Sequence, residues 1–112
     1  MYCNMLYIYG IMIGYMYILL CGNGSFYTGS TINLKKRLEE HQQGIGSNHT
    51  KRYQPVELVY YETFERIDQA FEREKQVQRW SHDKKEALIN GNISDLKMLA
   101  GCRNSSHYKN KQ

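Results

Sequence analysis

Five side chains set the chemistry open to this sequence: Tyr17, Tyr27, Arg37, His41 and Glu74. The first four fall in one stretch, YMYILLCGNGSFYTGSTINLKKRLEEH, from Tyr15 to His41. Arg37 and His41 are four apart, so on a helix they share a face one turn from each other. Two phenols, a guanidinium and an imidazole can then gather in one small concave site. Glu74 would add a carboxylate to it. In a helix it falls on the apolar stripe with Ala70, Phe71 and Val77 within a turn. A carboxylate there is partly desolvated and needs a cation, either Arg37 or a metal ion. A salt bridge to a neighbouring Arg or Lys on the same helix is the bland alternative.

The elements that must position these groups can be read from pattern. Tyr15–Cys21 and Ser25–Gly29 are rich in aromatic and branched residues. They are joined by Gly22-Asn23-Gly24, whose residues tolerate positive φ, so a hairpin is predicted. Alternation gives Tyr15, Tyr17 and Leu19 a common face on the first strand and Tyr27 a common face with Ser25 and Gly29 on the second, Gly29 leaving room for a backbone or ligand. A helix starts near Thr31–Asn33, with either residue as N-cap, and ends before Gly44. Leu34 and Leu38 anchor it, while Lys35 and Lys36 point outward. Residues 42–53 read as a loop carrying Lys51-Arg52. These four basic residues are candidates for nucleic-acid contacts, and a solvated surface is the competing reading.

Pro55 opens a third strand, 56–64, where proline removes no ladder bond. A long helix follows from Asp68, its expected N-cap, to Leu88, with Ile67, Ala70, Val77 and Leu88 on one stripe. Trp80 near its end is expected to pack, and His49 and His82 are expected at the surface. Gly91 stops the run, and 93–100 read as a short last helix. The tyrosines have their own bland reading, because Tyr is common in half-buried strands and the chain holds ten.

Composition sets the bounds. At 112 residues the chain is one domain, with a formal net charge of +4 and a pI of about 9.0 that favours a polyanionic partner. No Lys, Arg, Asp or Glu occurs in residues 1–34. The first twenty residues are long enough to span a bilayer, but no flanking basic residue anchors them and five tyrosines dilute their hydrophobicity. The second half is therefore read as a buried strand, and no membrane is expected. Residues 1–13 become an N-terminal overhang, and Met12 is an alternative start. Cys3, Cys21 and Cys102 are odd in number and lack C-x-x-C spacing, so no disulfide is expected and the location is read as cytoplasmic. Cys102 and His107 on the polar tail, 102–112, make too small a set for zinc.

Taken in order, these residues resemble the GIY-YIG endonuclease superfamily in its small single-domain bacterial branch. The two name motifs match Tyr15-Met16-Tyr17 and Tyr27-Thr28-Gly29; Arg37, His41 and Glu74 fall at the matching intervals. PVELVYYETF, WSHDKKEALINGN and LAGCRNSSHYK also resemble that branch. Tyr15 replaces the first glycine, Thr28 replaces isoleucine, and Ser30 stands where some repair nucleases have lysine. The resemblance implies an α/β (α+β) fold over 14–101: a small three-stranded antiparallel sheet flanked by helices, in the order β-β-α-β-α-α. It implies metal-dependent cleavage of a nucleic-acid phosphodiester, DNA rather than RNA. One Mg²⁺ or Mn²⁺ would sit on Glu74, Arg37 would clamp phosphate, and Tyr27 would take the proton of the attacking water. His41 would accept the Tyr27 proton, and Tyr17 would orient water or Tyr27. A protein that keeps the scaffold but binds without cutting is the alternative. Oligomeric state is left open.

Overall fold

The uncharged N-terminal segment forms the middle of a sheet. In a computed structural model, which describes residues 12–91, β1 spans Gly14–Leu20, β2 Phe26–Thr31 and β3 Glu57–Phe64. The three strands run in the order β2-β1-β3, and both pairings are antiparallel. As the central strand, β1 is covered on both faces. Met16, Tyr17, Ile18 and Leu19 are all nearly inaccessible, which is why this stretch shows no polar alternation. The hairpin forms as expected: Gly24 takes φ 88°, and Cys21 N–H donates to the Ser25 carbonyl at 2.9 Å.

The first and third of the four helices among the described residues pack against this sheet. Helix α1 covers Leu34–Gln42, α2 Asn48–Arg52, α3 Ile67–Gln78 and α4 His82–Ile89. Helix α3 packs on β1 and β2, burying Ala70 and Val77. A Cβ on Gly14 would lie 2.7 Å from the Ile67 Cα, so a side chain there would force α3 away. On the other face Tyr17, Leu19, Cys21 and Val56 form the core, with Leu34, Leu38, Tyr53 and Leu58 packed against it. Cys21 is a free buried thiol.

The expected fold class holds, with three local corrections. The long helix is two. Arg79 closes α3, and the Ser81 side chain caps α4 by accepting the Lys84 N–H. Apolar periodicity could not detect the break, because Ser81 is both a tolerable helix residue and a good N-cap. Residues up to Arg79 and those from Trp80 on form separate compact units. In the second, the Lys84 ammonium lies 4.2 Å from the Trp80 ring centroid, and His82 is exposed as expected. Asp68 lies in the first turn of α3 rather than capping it. Its carboxylate pairs with Arg66 and accepts the Gln69 N–H. Within the expected loop, Ser47 caps the short α2 through the Thr50 N–H.

Residues 1–11 and 92–112 fall outside the described residues, and with them most of the overhang, the last expected helix and the tail. Gly14–Leu20 is a strand, and among the described residues no helix is long and apolar enough to cross a membrane.

Helix α3 is further tied to β3. The Arg73 guanidinium donates to both Glu62 oxygens, at 2.9 and 3.1 Å, and Tyr60 donates to the same carboxylate at 2.6 Å. Arg73 therefore belongs to the α3–β3 junction, not to a solvated face. Thr28 shows the opposite situation. It is buried, and its Oγ1 has no hydrogen-bond partner. Thr28→Val, nearly isosteric, should therefore raise stability by about 1 kcal/mol, seen as a higher thermal unfolding midpoint.

Candidate active site

Tyr17 is the hub of the site. Its phenol leaves β1 and lies over Gly29, its cross-strand partner on β2. A Cβ on Gly29 would come within 2.6 Å of the Tyr17 Cζ. The space expected for a ligand at Gly29 is filled by this ring. Tyr27 sits opposite Leu19 and so shares the Tyr17 face.

Helix α1 brings His41 to the same point, buried to 0% exposure. Its Nε2 is 2.9 Å from the Tyr17 hydroxyl, and its Nδ1 is 2.7 Å from Thr50 Oγ1 on α2. Thr50 in turn donates to the Ser47 carbonyl at 3.3 Å. With that proton used, Thr50 accepts from His41 Nδ1–H, and Nε2 accepts from the Tyr17 hydroxyl. Gly46 allows the ring to fit, since a Cβ there would stand 2.7 Å from His41 Cε1. Gln54 braces the corner, donating to the His41 and Thr50 carbonyls at 2.7 and 2.6 Å.

The electrostatics follow from this burial. Burial drives Tyr17 up to about 12; the nearby Arg37 opposes the rise, and Tyr27 and Glu74 add to it. Burial, reinforced by the Arg37 charge, brings His41 down to about 4 against a small opposing effect of Glu40. At neutral pH both are uncharged, as the chain of hydrogen bonds requires.

Arg37 is half-buried on α1. It donates to Glu40 and to the Gly46 carbonyl, each at 3.0 Å, and interacts with the Tyr17 phenol. Glu74 arrives from α3, on the other side of the edge strand β2. Its carboxylate accepts the Ser30 hydroxyl at 2.5 Å and the Gln78 amide at 2.7 Å. The expected Arg37–Glu74 pair is absent. The guanidinium is engaged by Glu40, and Glu74 has only neutral partners among the described residues. Ser30 thus orients Glu74 by hydrogen bonding.

Two further positions differ from expectation. The two ring nitrogens of His41 meet Tyr17 and Thr50, not the Tyr27 hydroxyl. The Tyr27 ring only packs against the imidazole, with centroids 5.1 Å apart. His49 is not an isolated surface residue. Its ring stacks on Tyr27 at 6.1 Å and 22°, and its Nε2 lies 2.9 Å from Ser25 Oγ. The signal for His49 and Thr50 was the Ser47 cap, but five helical residues are too few for periodicity to register. Lys35, Lys36, Lys51 and Arg52 are exposed, the last with its guanidinium carbon 5.6 Å from the Tyr53 ring centroid.

The chain is similar to known proteins over most of its described length. The family model described as the GIY-YIG catalytic domain matches residues 13–87. A UPF0213 protein of Staphylococcus saprophyticus is 41% identical over 75 residues, covering 67% of this chain and 92% of that protein. One from Clostridium perfringens is 42% identical over 77 residues, covering 69% and 83%. A solution structure of a UPF0213 protein from Bacillus halodurans superposes with a TM-score of 0.47 at 34% identity, covering 80% of this chain and 98% of that one.

Two outcomes test the buried chain of bonds. His41 is depressed on folding, so the unfolded chain binds its proton more readily below pH 6.5. Stability should be full above pH about 6.5 and fall progressively toward pH about 4. His41→Gln should flatten that part of the pH dependence in thermal unfolding. Thr50→Val removes the acceptor of a buried N–H and should lower stability by about 1–3 kcal/mol, measured by urea unfolding at pH 7.5.

Proposed function

The chain belongs to the GIY-YIG family, and from that premise we propose that it is a metal-dependent endonuclease hydrolysing a nucleic-acid phosphodiester, with DNA favoured over RNA. The observation that carries the reading is that Tyr17 and Tyr27 both meet the His41 ring, with Arg37 and Glu74 near enough to act on the Tyr17 phenol electrostatically. Glu74 suits a divalent ion. It is a half-buried carboxylate with neutral partners, and its charge is not cancelled. Among the described residues no group of three or more His, Cys, Asp or Glu could hold a metal. Glu74 would therefore be the single carboxylate ligand, a pattern Mg²⁺ accepts when phosphate and water complete its shell. Held by Glu74, such an ion would supply stabilisation of the negative charge that develops on the leaving 3′-oxygen.

The remaining work falls to the chain. Arg37 is half-buried and braced by Glu40 and Gly46, with further N–H groups to offer the non-bridging oxygens. Tyr17 keeps its proton at neutral pH, so it positions rather than deprotonates. Tyr27, as the phenolate left once its own proton has gone to solvent, would take the proton of the attacking water as the new P–O bond forms and P–O3′ breaks, with the leaving 3′-oxygen protonated from solvent. Lys35, Lys36, Lys51 and Arg52 would contact the phosphate backbone. Ser30 supports a second reading: without a lysine there, the scaffold could bind nucleic acid and not cut it. That reading predicts affinity that falls with salt and no cleavage with any metal.

Supercoiled plasmid incubated with Mg²⁺ or Mn²⁺ decides between them. Nicking should appear, vanish with EDTA, Glu74→Ala or Arg37→Ala, and fall by roughly 10²-fold or more with Tyr27→Phe. Nicking that persists in Glu74→Ala would sink the assignment.

A further inference from the structure

One hollow beside the site has no role in the chemistry above. It encloses about 480 Å³ and is lined by Tyr15, Tyr61, Ile32, Leu34, Leu58 and Lys35, among others. That size lies within the roughly 300–1,000 Å³ of pockets that hold small organic groups. Its position is fixed by register. Tyr61 on β3 is the direct cross-strand partner of Tyr17, on the side away from Gly29. Tyr15 is two residues before Tyr17 and so shares its face, about 7 Å along the strand. The hollow therefore continues the face that carries the Tyr17 phenol.

Its walls are unusual for a surface. Tyr61 is 52% exposed and Ile32 49% exposed, although both are large and apolar in body. The Tyr15 and Tyr61 rings meet edge to face, 6.3 Å apart at 67°, which holds the Tyr61 ring in place. The rim is positive. The first turn of α1 has no acidic residue and carries Lys35 and Lys36, against the preference of a helix N-terminus for negative charge. Apolar rings next to positive charge complement a flat aromatic group joined to an anion.

We propose that this hollow takes an unstacked nucleobase from the nucleotide flanking the scissile phosphate, with its phosphate toward Lys35. The inference rests on the nuclease reading and extends it to a substrate class: strands with a base free to leave its stack, such as single-stranded segments. Every base has a face to stack on, so the subsite tolerates any sequence.

The full chain is tested in EDTA with a fluorescein-labelled single-stranded 12-mer, by anisotropy. Tyr61→Ala, a change at a half-exposed residue, should weaken binding about 5- to 100-fold, and Tyr61→Phe should bind within about twofold of wild type. One abasic position in the oligonucleotide should weaken wild type by a similar factor and Tyr61→Ala hardly at all. If wild type binds the oligonucleotide and nicks plasmid while Tyr61→Ala binds equally well, the base subsite is wrong and the nuclease reading stands. If wild type neither binds nor nicks, both fall. If Tyr61→Ala converts a dimer to a monomer in sedimentation, the hollow is a contact between copies, and the proposal is overturned.

Discussion

The hydrogen bond between the Tyr17 hydroxyl and His41 Nε2 ties the two halves of the site together. It joins the central strand to α1 in a place that water does not reach. A buried phenol and a buried imidazole each need a partner, and here each satisfies the other. Thr50 takes the second ring nitrogen, and Ser47, Gly46 and Gln54 fix the corner that presents Thr50. A short helix with almost no apolar content is thereby held in place by polar bonds to its neighbours.

The same bond explains the glycines. Tyr17 reaches His41 by crossing β2 at Gly29, where any Cβ would meet the ring. His41 reaches Tyr17 by lying against Gly46 in the same way. Neither glycine has a positive φ in the structure, so it is volume and not backbone conformation that demands glycine there. Burial also separates the two tyrosines. Tyr17 is held protonated, whereas Tyr27 stays half-exposed beside His49. Two phenols ten residues apart thus have different environments.

Charge is handled with similar economy. Arg37 is held by Glu40 on its own helix and by a backbone carbonyl, which orients it beside Tyr17 without joining it to Glu74. Glu74 is oriented by a hydroxyl and an amide from the opposite side of β2. Both charged groups are placed and yet not cancelled by each other.

Much of this was legible in the residues. Strand periodicity, the Gly22-Asn23-Gly24 turn and the Asn33 cap are local properties, and local properties write themselves into neighbouring residues. The spacing of Tyr17, Tyr27, Arg37, His41 and Glu74 named the candidate site. Who touches whom was a different matter. The Tyr17–His41 bond, the Ser30–Glu74 bond and the stacking of His49 on Tyr27 join residues 24, 44 and 22 positions apart. Periodicity gives the direction of a side chain from its own element, but not which of several nearby donors or acceptors it meets. Packing decides that, because helices and strands from distant parts of the chain must first settle against one sheet.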